Sequence, residues 1–283
     1  MEYTLYYRNY LRYCNYNCSY CPFAKGRVND VLIQKEKKYL DKFVNYIKHS
    51  KNKFRLFFAP RGELLIHEIY RQKFIELSHM DNVIEIVIQT NLSSSLNWLE
   101  LVNKEKIILW TTYHPNQVEL DKFFSQILNL VEYNIKFTIG IVGVKDNFEN
   151  IKRMSRMLNT LKLKKPYFWI NAYKDEKNYY SKDEIEFLTL NDPLFYINLE
   201  NHISKNLYCK TGNTVFFVEF NGNIHRCWKD KVKRGNLYKS ELKDISKEEK
   251  CIKEQCTCFI GYSNLESLKL DGKYKTSVLG RMI

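Results

Sequence analysis

The chain has 283 residues, 45% hydrophobic and 15% aromatic, with a formal net charge of +13, enough apolar material for one large domain or one domain with a small appendage. No stretch approaches the about 20 apolar residues of a membrane span. The start of the chain lacks a basic region followed by an apolar run, so neither a membrane nor a secretory route is expected and the cytoplasm is the expected location.

The first two-thirds alternates β-like runs with helical periodicity. Strands are expected at residues 4–7, 54–59, 83–89, 106–112, 135–142 and 167–172. Leu40, Phe43, Val44 and Ile47 form one face of a helix after the first. Tyr70, Phe74 and Leu77 follow the second, and Trp98, Leu101 and Val102 the third. The clearest helix carries Leu120, Phe123, Phe124, Ile127, Leu128 and Val131. Ile151, Met154, Leu158 and Leu161 come after the fifth strand. Ser181 and Glu184 have the spacing of a capping box for the helix after the sixth.

Six β–α repeats with apolar strands predict a parallel sheet covered by helices. Right-handed crossovers would curl it into a barrel or partial barrel, and periodicity alone does not separate that from a flat doubly wound sheet. Either way, site residues belong at the C-terminal ends of strands. From about residue 196 the pattern changes. Residues 214–220 and 223–226, joined by Asn221-Gly222, predict a β-hairpin. The remainder is Lys-rich, has little apolar surface, and would gain stability from a metal. The expected division is 1–195 as the barrel and 196–283 as a smaller segment.

The eight cysteines stand at 14, 18, 21, 209, 227, 251, 256 and 258. In a cytosolic protein such grouping predicts metal sites rather than disulfides. Cys14-Asn15-Tyr16-Asn17-Cys18-Ser19-Tyr20-Cys21 lies just after the first strand. Three thiolates this close can hold three corners of an iron–sulfur cubane and leave one iron open, as a catalytic metal requires. A zinc knuckle completed by a histidine is the alternative, although the first histidine is His49.

This C-x3-C-x2-C pattern, with an aromatic residue, Tyr20, before the third cysteine, resembles the signature of the radical SAM superfamily. The resemblance implies a partial (βα)6 TIM-like barrel and a [4Fe–4S] cluster on Cys14, Cys18 and Cys21. It implies that S-adenosylmethionine is cleaved there to methionine and a 5′-deoxyadenosyl radical, which takes a substrate hydrogen. An electron donor such as flavodoxin or ferredoxin is implied as well. Pro60-Arg61-Gly62-Glu63 resembles the family's Gly-Gly-Glu motif, with Arg61 replacing the first glycine, so Gly62 and Glu63 are expected at the cofactor's amino group. Gln89-Thr90-Asn91 resembles a Thr-Asn element near the cofactor, and Tyr113-His114-Pro115 stands where relatives place cofactor or substrate contacts. Gly140-Ile141-Val142-Gly143 resembles the apolar segment beside adenine, and Asn171 ends the sixth strand. Tyr20, Gly62, Glu63, Gln89, Asn91, His114, Val142 and Asn171 are thus the expected cofactor-binding set.

The spacing of Cys209, Gly222 and Cys227 resembles half of the motif in the auxiliary-cluster extensions called SPASM and Twitch. With Cys251, Cys256 and Cys258, this implies a second [4Fe–4S] cluster in a small C-terminal hairpin-and-loop subdomain. Cys209, Cys227, Cys256 and Cys258 are favoured as its ligands, and Cys251 is also a candidate. A four-cysteine zinc site would look similar.

The expected substrate is a peptide or a small molecule. The net charge also suits RNA, but the basic residues are scattered and no RNA-binding module is evident, so nucleic acid is not the favoured partner. A non-catalytic metal-binding protein is the remaining alternative.

Overall fold

The computed structural model describes residues 1–23, 26–161, 166–230 and 232–283. Ala24 and Lys25, which extend the first cysteine motif, lie outside them. Six strands run parallel in sequence order: β1 (Glu2–Arg8), β2 (Lys53–Phe58), β3 (Val83–Thr90), β4 (Ile107–Tyr113), β5 (Lys136–Val142) and β6 (Phe168–Asn171). Between and after them stand α1 (Asp30–His49), α2 (Glu68–Ser78), α3 (Leu120–Glu132), α4 (Phe148–Asn159) and α5 (Lys182–Asn191).

Alternation along each strand sorts side chains to two faces. Leu5, Tyr7, Leu56, Phe58, Ile86, Ile88, Leu109, Ile139 and Ile170 join the buried residues of the helices in one core. Tyr6, Phe57, Val87, Ile108, Trp110 and Trp169 belong to a second core on the other face. A doubly wound sheet reverses its strand order and carries helices on both faces. Sequential order with these helices on one face is that of a barrel, left partial because β6 ends the sheet. The fold is the expected partial (βα)6 barrel.

Two helix expectations are corrected. The β3–β4 connection holds a 3-10 turn, Asn97–Leu101, in place of an α-helix, and Leu101 is 62% exposed. Trp98 and Leu99 fill the outer core there, and a second 3-10 turn, Lys104–Lys106, takes up the rest of the connection. In α3, Leu128 faces outward and Leu130 is buried.

The C-terminal third continues the sheet. After α6 (Phe195–Leu199) and β7 (His202–Ile203), strand β8 (Val215–Glu219) pairs with β1, and it does so in parallel. Its hairpin partner β9 (Asn223–His225) turns through Gly222 at φ +83° and is followed by β10 (Lys233–Asn236), a third strand that the hairpin pattern did not announce. Next come α7 (Leu242–Ile245), β11 (Gln255–Cys256) on β7, and α8 (Phe259–Tyr262). Residues from Phe259 to Leu279 supply Phe259, Tyr262, Leu265, Leu270, Tyr274 and Leu279 to the second core. The end of the chain therefore covers the inner face of the partial barrel.

Candidate functional site

The first cysteine loop begins where β1 ends. Glu36, buried on α1, accepts from the backbone N–H of Tyr10 at 2.9 Å and of Leu11 at 2.7 Å, which fixes the chain as it leaves the strand. Asn9 Nδ2 donates to the Leu11 carbonyl, and Asn9 Oδ1 accepts from the Arg61 N–H at 2.8 Å, tying this loop to the loop after β2. Gly62 completes the join. A Cβ there would lie 1.9 Å from the Tyr13 carbonyl oxygen, so only glycine lets the two backbones pass.

The loop folds over a cavity of about 180 Å³ at the C-terminal ends of the strands. Cys14, Cys18 and Cys21 line it together with Gly62, Glu63, Gln89, Asn91 and His114. Tyr16, Phe23, Thr90 and Thr112 also reach it. Five expected cofactor residues, from three different strand ends, are thus brought to the three thiols.

Glu63 is 3% exposed, and both carboxylate oxygens are engaged. Oε1 accepts from Thr90 Oγ1 at 2.9 Å and the Leu65 N–H at 3.0 Å, and Oε2 accepts from the Asn91 N–H at 2.6 Å. Burial pushes its acid strength down, to a pKa of about 7, against those three donors. Asn91 in turn reaches Asn15 Oδ1 at 3.1 Å and Cys14 Sγ at 3.6 Å. Glu63 therefore fastens the β3 end to the cysteine loop as well as lining the cavity.

His114 Nδ1 lies 2.8 Å from the Tyr20 hydroxyl and 3.5 Å from Cys18 Sγ. Burial lowers its pKa to about 4, so the ring is neutral near pH 7. Tyr20 stacks on it, and Tyr16 meets it edge-on. Tyr20 thus touches the site through His114 and does not line the cavity. Val142 and Asn171 stand on the inner face at adjacent strand ends, also outside the lining. Gly140, on the same face, makes room for Trp169, whose ring a Cβ would meet at 2.0 Å.

A second group of thiols stands on the C-terminal loops. Cys227, Cys251, Cys256 and Cys258 line a cavity with Trp228, Lys229 and Gly261. Cys209 belongs to the inner core against which Cys227 and Cys256 pack, with its Sγ 3.1 Å from Thr211 Oγ1. The sequence reading missed Arg226. Its buried guanidinium donates to the carbonyls of Thr211, Lys250 and Glu249, holding together the segments that carry Cys209, Cys227 and Cys251. A basic residue beside a cysteine is the only trace of this in the sequence.

Both thiol sets have the chemistry of metal donors. Burial and neighbouring thiols push Cys14 to about 11 and Cys256 to about 12, which bound metal cations would reverse. Gly261 leaves the thiols room, since a Cβ there would sit 2.6 Å from Cys256 Sγ. Among the described residues no three Cys, His, Asp or Glu side chains converge on a point suited to a single ion. Thiolates are the ligands that iron–sulfur clusters take, so the chemistry of both donor sets suits such a group.

The sequence matches no protein-family model and no curated protein. Solved structures do resemble the fold. Native anSMEcpe with bound AdoMet and the Kp18Cys peptide aligns with a TM-score of 0.57 over 87% of this chain and 80% of that one, at 15% identity. Streptococcus suis SuiB bound to S-adenosylmethionine aligns with a TM-score of 0.56 over 86% of this chain and 62% of that one, at 16% identity. Among the described residues no helix is long and apolar enough to cross a membrane.

Proposed function

We propose that this chain, whose fold is that of S-adenosylmethionine-bound structures, is a radical SAM enzyme. The observation that supports it most is the single cavity in which Cys14, Cys18 and Cys21 meet Gly62, Glu63, Gln89, Asn91 and His114. A [4Fe–4S] cluster on the three thiols, when bound, supplies the electron that splits S-adenosylmethionine into methionine and a 5′-deoxyadenosyl radical, which abstracts a substrate hydrogen.

The chain's own residues bind and orient. Glu63 and the backbone around Gly62 offer acceptors for the cofactor's amino group. Gln89 and Asn91 would hold its polar atoms, and Val142, on the inner face beyond the cavity lining, would pack on the adenine. Neutral His114, steadied by Tyr20, presents a hydrogen-bonding ring next to Cys18. Asn171 faces the substrate side.

Residues 1–195 form the radical-generating part and 196–283 the auxiliary-cluster segment. Cys209, Cys227, Cys256 and Cys258, with Cys251 as the alternative ligand, hold a second [4Fe–4S] cluster that assists oxidation or binding of the substrate. That substrate is a peptide side chain or a small molecule. The peptide in the anSMEcpe structure favours the former. A flavodoxin or ferredoxin in the cytoplasm would deliver electrons.

Anaerobic reconstitution with iron and sulfide tests the reading. The expected result is about eight irons per chain, and 5′-deoxyadenosine formed from S-adenosylmethionine with reductant. Cys14→Ala is expected to abolish the nucleoside and to halve the iron. A fully iron-loaded chain that yields no 5′-deoxyadenosine, with or without candidate peptides, would refute it.

A further inference from the structure

Arg8 is the last residue of β1 and shares the inner face with Thr4 and Tyr6. It therefore points into the chamber at the strand ends, on the side of the second thiol set. Its guanidinium lies 5.5 Å from the ring of Phe23, just after the first cysteine loop, and 4.8 Å from the ring of Trp228, just after Cys227. The side chain is thus packed between the two cysteine segments, with its planar fork fixed by aromatic faces.

Among the described residues the Arg8 side chain makes no ion pair and donates no hydrogen bond. The carboxylate it feels there is Glu219, its neighbour across the β1–β8 pair, and Glu219 already faces Arg61 at 3.7 Å and His225 at 3.9 Å. Burial and the Arg61 charge weaken its hold on its proton, to a pKa of about 10.

Two lysines extend the pattern. Lys174, in the loop after β6, donates to the Glu200 carbonyl at 2.7 Å and the Thr257 carbonyl at 3.2 Å. Lys229 donates to Thr257 Oγ1 at 2.7 Å. Neither forms an ion pair among the described residues, and burial together with the Lys229 charge lowers Lys174 to about 8. Lys174 and Lys229 share Thr257, and Lys229 follows Trp228, on whose ring Arg8 lies, which places the three cations in one neighbourhood. Cations crowded together and partly buried without carboxylate partners cost free energy unless an anion joins them.

We propose that the substrate carries an anionic group, a carboxylate or a phosphate, which Arg8 binds with Lys174 and Lys229 as supporting cations, between the two thiol sets. This rests on the enzyme reading above for the word substrate, while the anion site itself is a property of the polypeptide. A guanidinium fork held flat by two rings suits either planar carboxylate or phosphate oxygens.

The test titrates inorganic phosphate, and separately acetate, into the reconstituted full chain at constant ionic strength, read by calorimetry and by the thermal midpoint. At least one anion is expected to bind saturably, about tenfold more weakly in Arg8→Gln, with partial recovery in Arg8→Lys and a smaller loss in Lys229→Gln. Binding of phosphate alone or of acetate alone identifies the group. Iron content and circular dichroism show whether each variant is folded, and Arg8→Lys and Lys229→Gln carry the test if Arg8→Gln is not. Equal binding by wild type and folded variants, or saturable binding of neither anion, overturns the proposal. So does a shifted reduction potential with unchanged anion binding, which would make these cations partners of the clusters alone. A chain that takes up no iron yet binds phosphate through Arg8 defeats the enzyme reading and leaves the anion site standing.

Discussion

At the scale of single residues, Glu63 shows how one side chain can be legible in part. Its place after β2 marks it as an acceptor at the cavity, but its three hydrogen bonds to Thr90, Leu65 and Asn91 come from a neighbouring strand end and its own loop. Burial raises its pKa from 4.5 to about 7 against those bonds, which favour the ionised form. The folded state therefore holds this proton more tightly than the unfolded chain. Stability from this group is greatest below pH 4.5 and is lost as the pH rises through about 7. Glu63→Gln cannot ionise. Its thermal midpoint is expected to gain on that of the wild type as the pH goes from about 5 to about 8, whatever the offset between them. A midpoint difference that stays constant across that range would show that Glu63 remains ionised when buried. Arg226 and Glu36 were not legible at all, because each acts on backbone groups that meet only in the folded chain.

At the scale of elements, local rules succeed where an element is decided by its own residues. The helix α5 is such a case: Ser181 Oγ accepts from the Glu184 N–H, and the Glu184 carboxylate accepts from the Ser181 N–H at 2.7 Å. Ser181→Ala is expected to cost about 1 kcal/mol, read from denaturant unfolding, with no loss of iron binding. The strands were legible to within one or two residues because their apolar runs are bounded by polar turns. The 3-10 turn at Asn97–Leu101 was not, since Trp98, Leu101 and Val102 have helical spacing while the core takes Trp98, Leu99 and Val102 and leaves Leu101 exposed. Nor was β10, whose Lys233-Arg234-Gly235-Asn236 carries no strand pattern and pairs only because β9 offers an open edge.

At the scale of the whole molecule, the end of the chain is part of the barrel. Arg281, 3% exposed, places its guanidinium 4.6 Å from the Trp110 ring, 4.2 Å from Trp169 and 3.9 Å from Phe259. Thr138 Oγ1 donates to the Gly280 carbonyl, pinning the same segment to β5. Three aromatic faces around a buried cation are expected to be worth about 2 kcal/mol or more. Arg281→Ala should therefore lower stability by at least that amount and shift tryptophan emission to the red as water reaches Trp110 and Trp169. An unchanged spectrum and unfolding curve would mean that the segment does not depend on this residue.

The sequence alone determined the six parallel strands, the helices after all of them but β3, the two groups of cysteines and the strand-end positions of the site, because each is a matter of spacing along the chain. Only the tertiary structure decided that β8 pairs in parallel with β1, that the last residues cover the inner face of the sheet, and that Arg8 stands between Phe23 and Trp228. Most of these join segments far apart in the chain, residues 4–8 with 215–219 and Arg8 with Trp228 among them. What selects them is the burial of complementary faces and the filling of open strand edges, which no local pattern encodes. The first cysteine triplet was therefore readable from the start, and the ground between the two thiol sets was not.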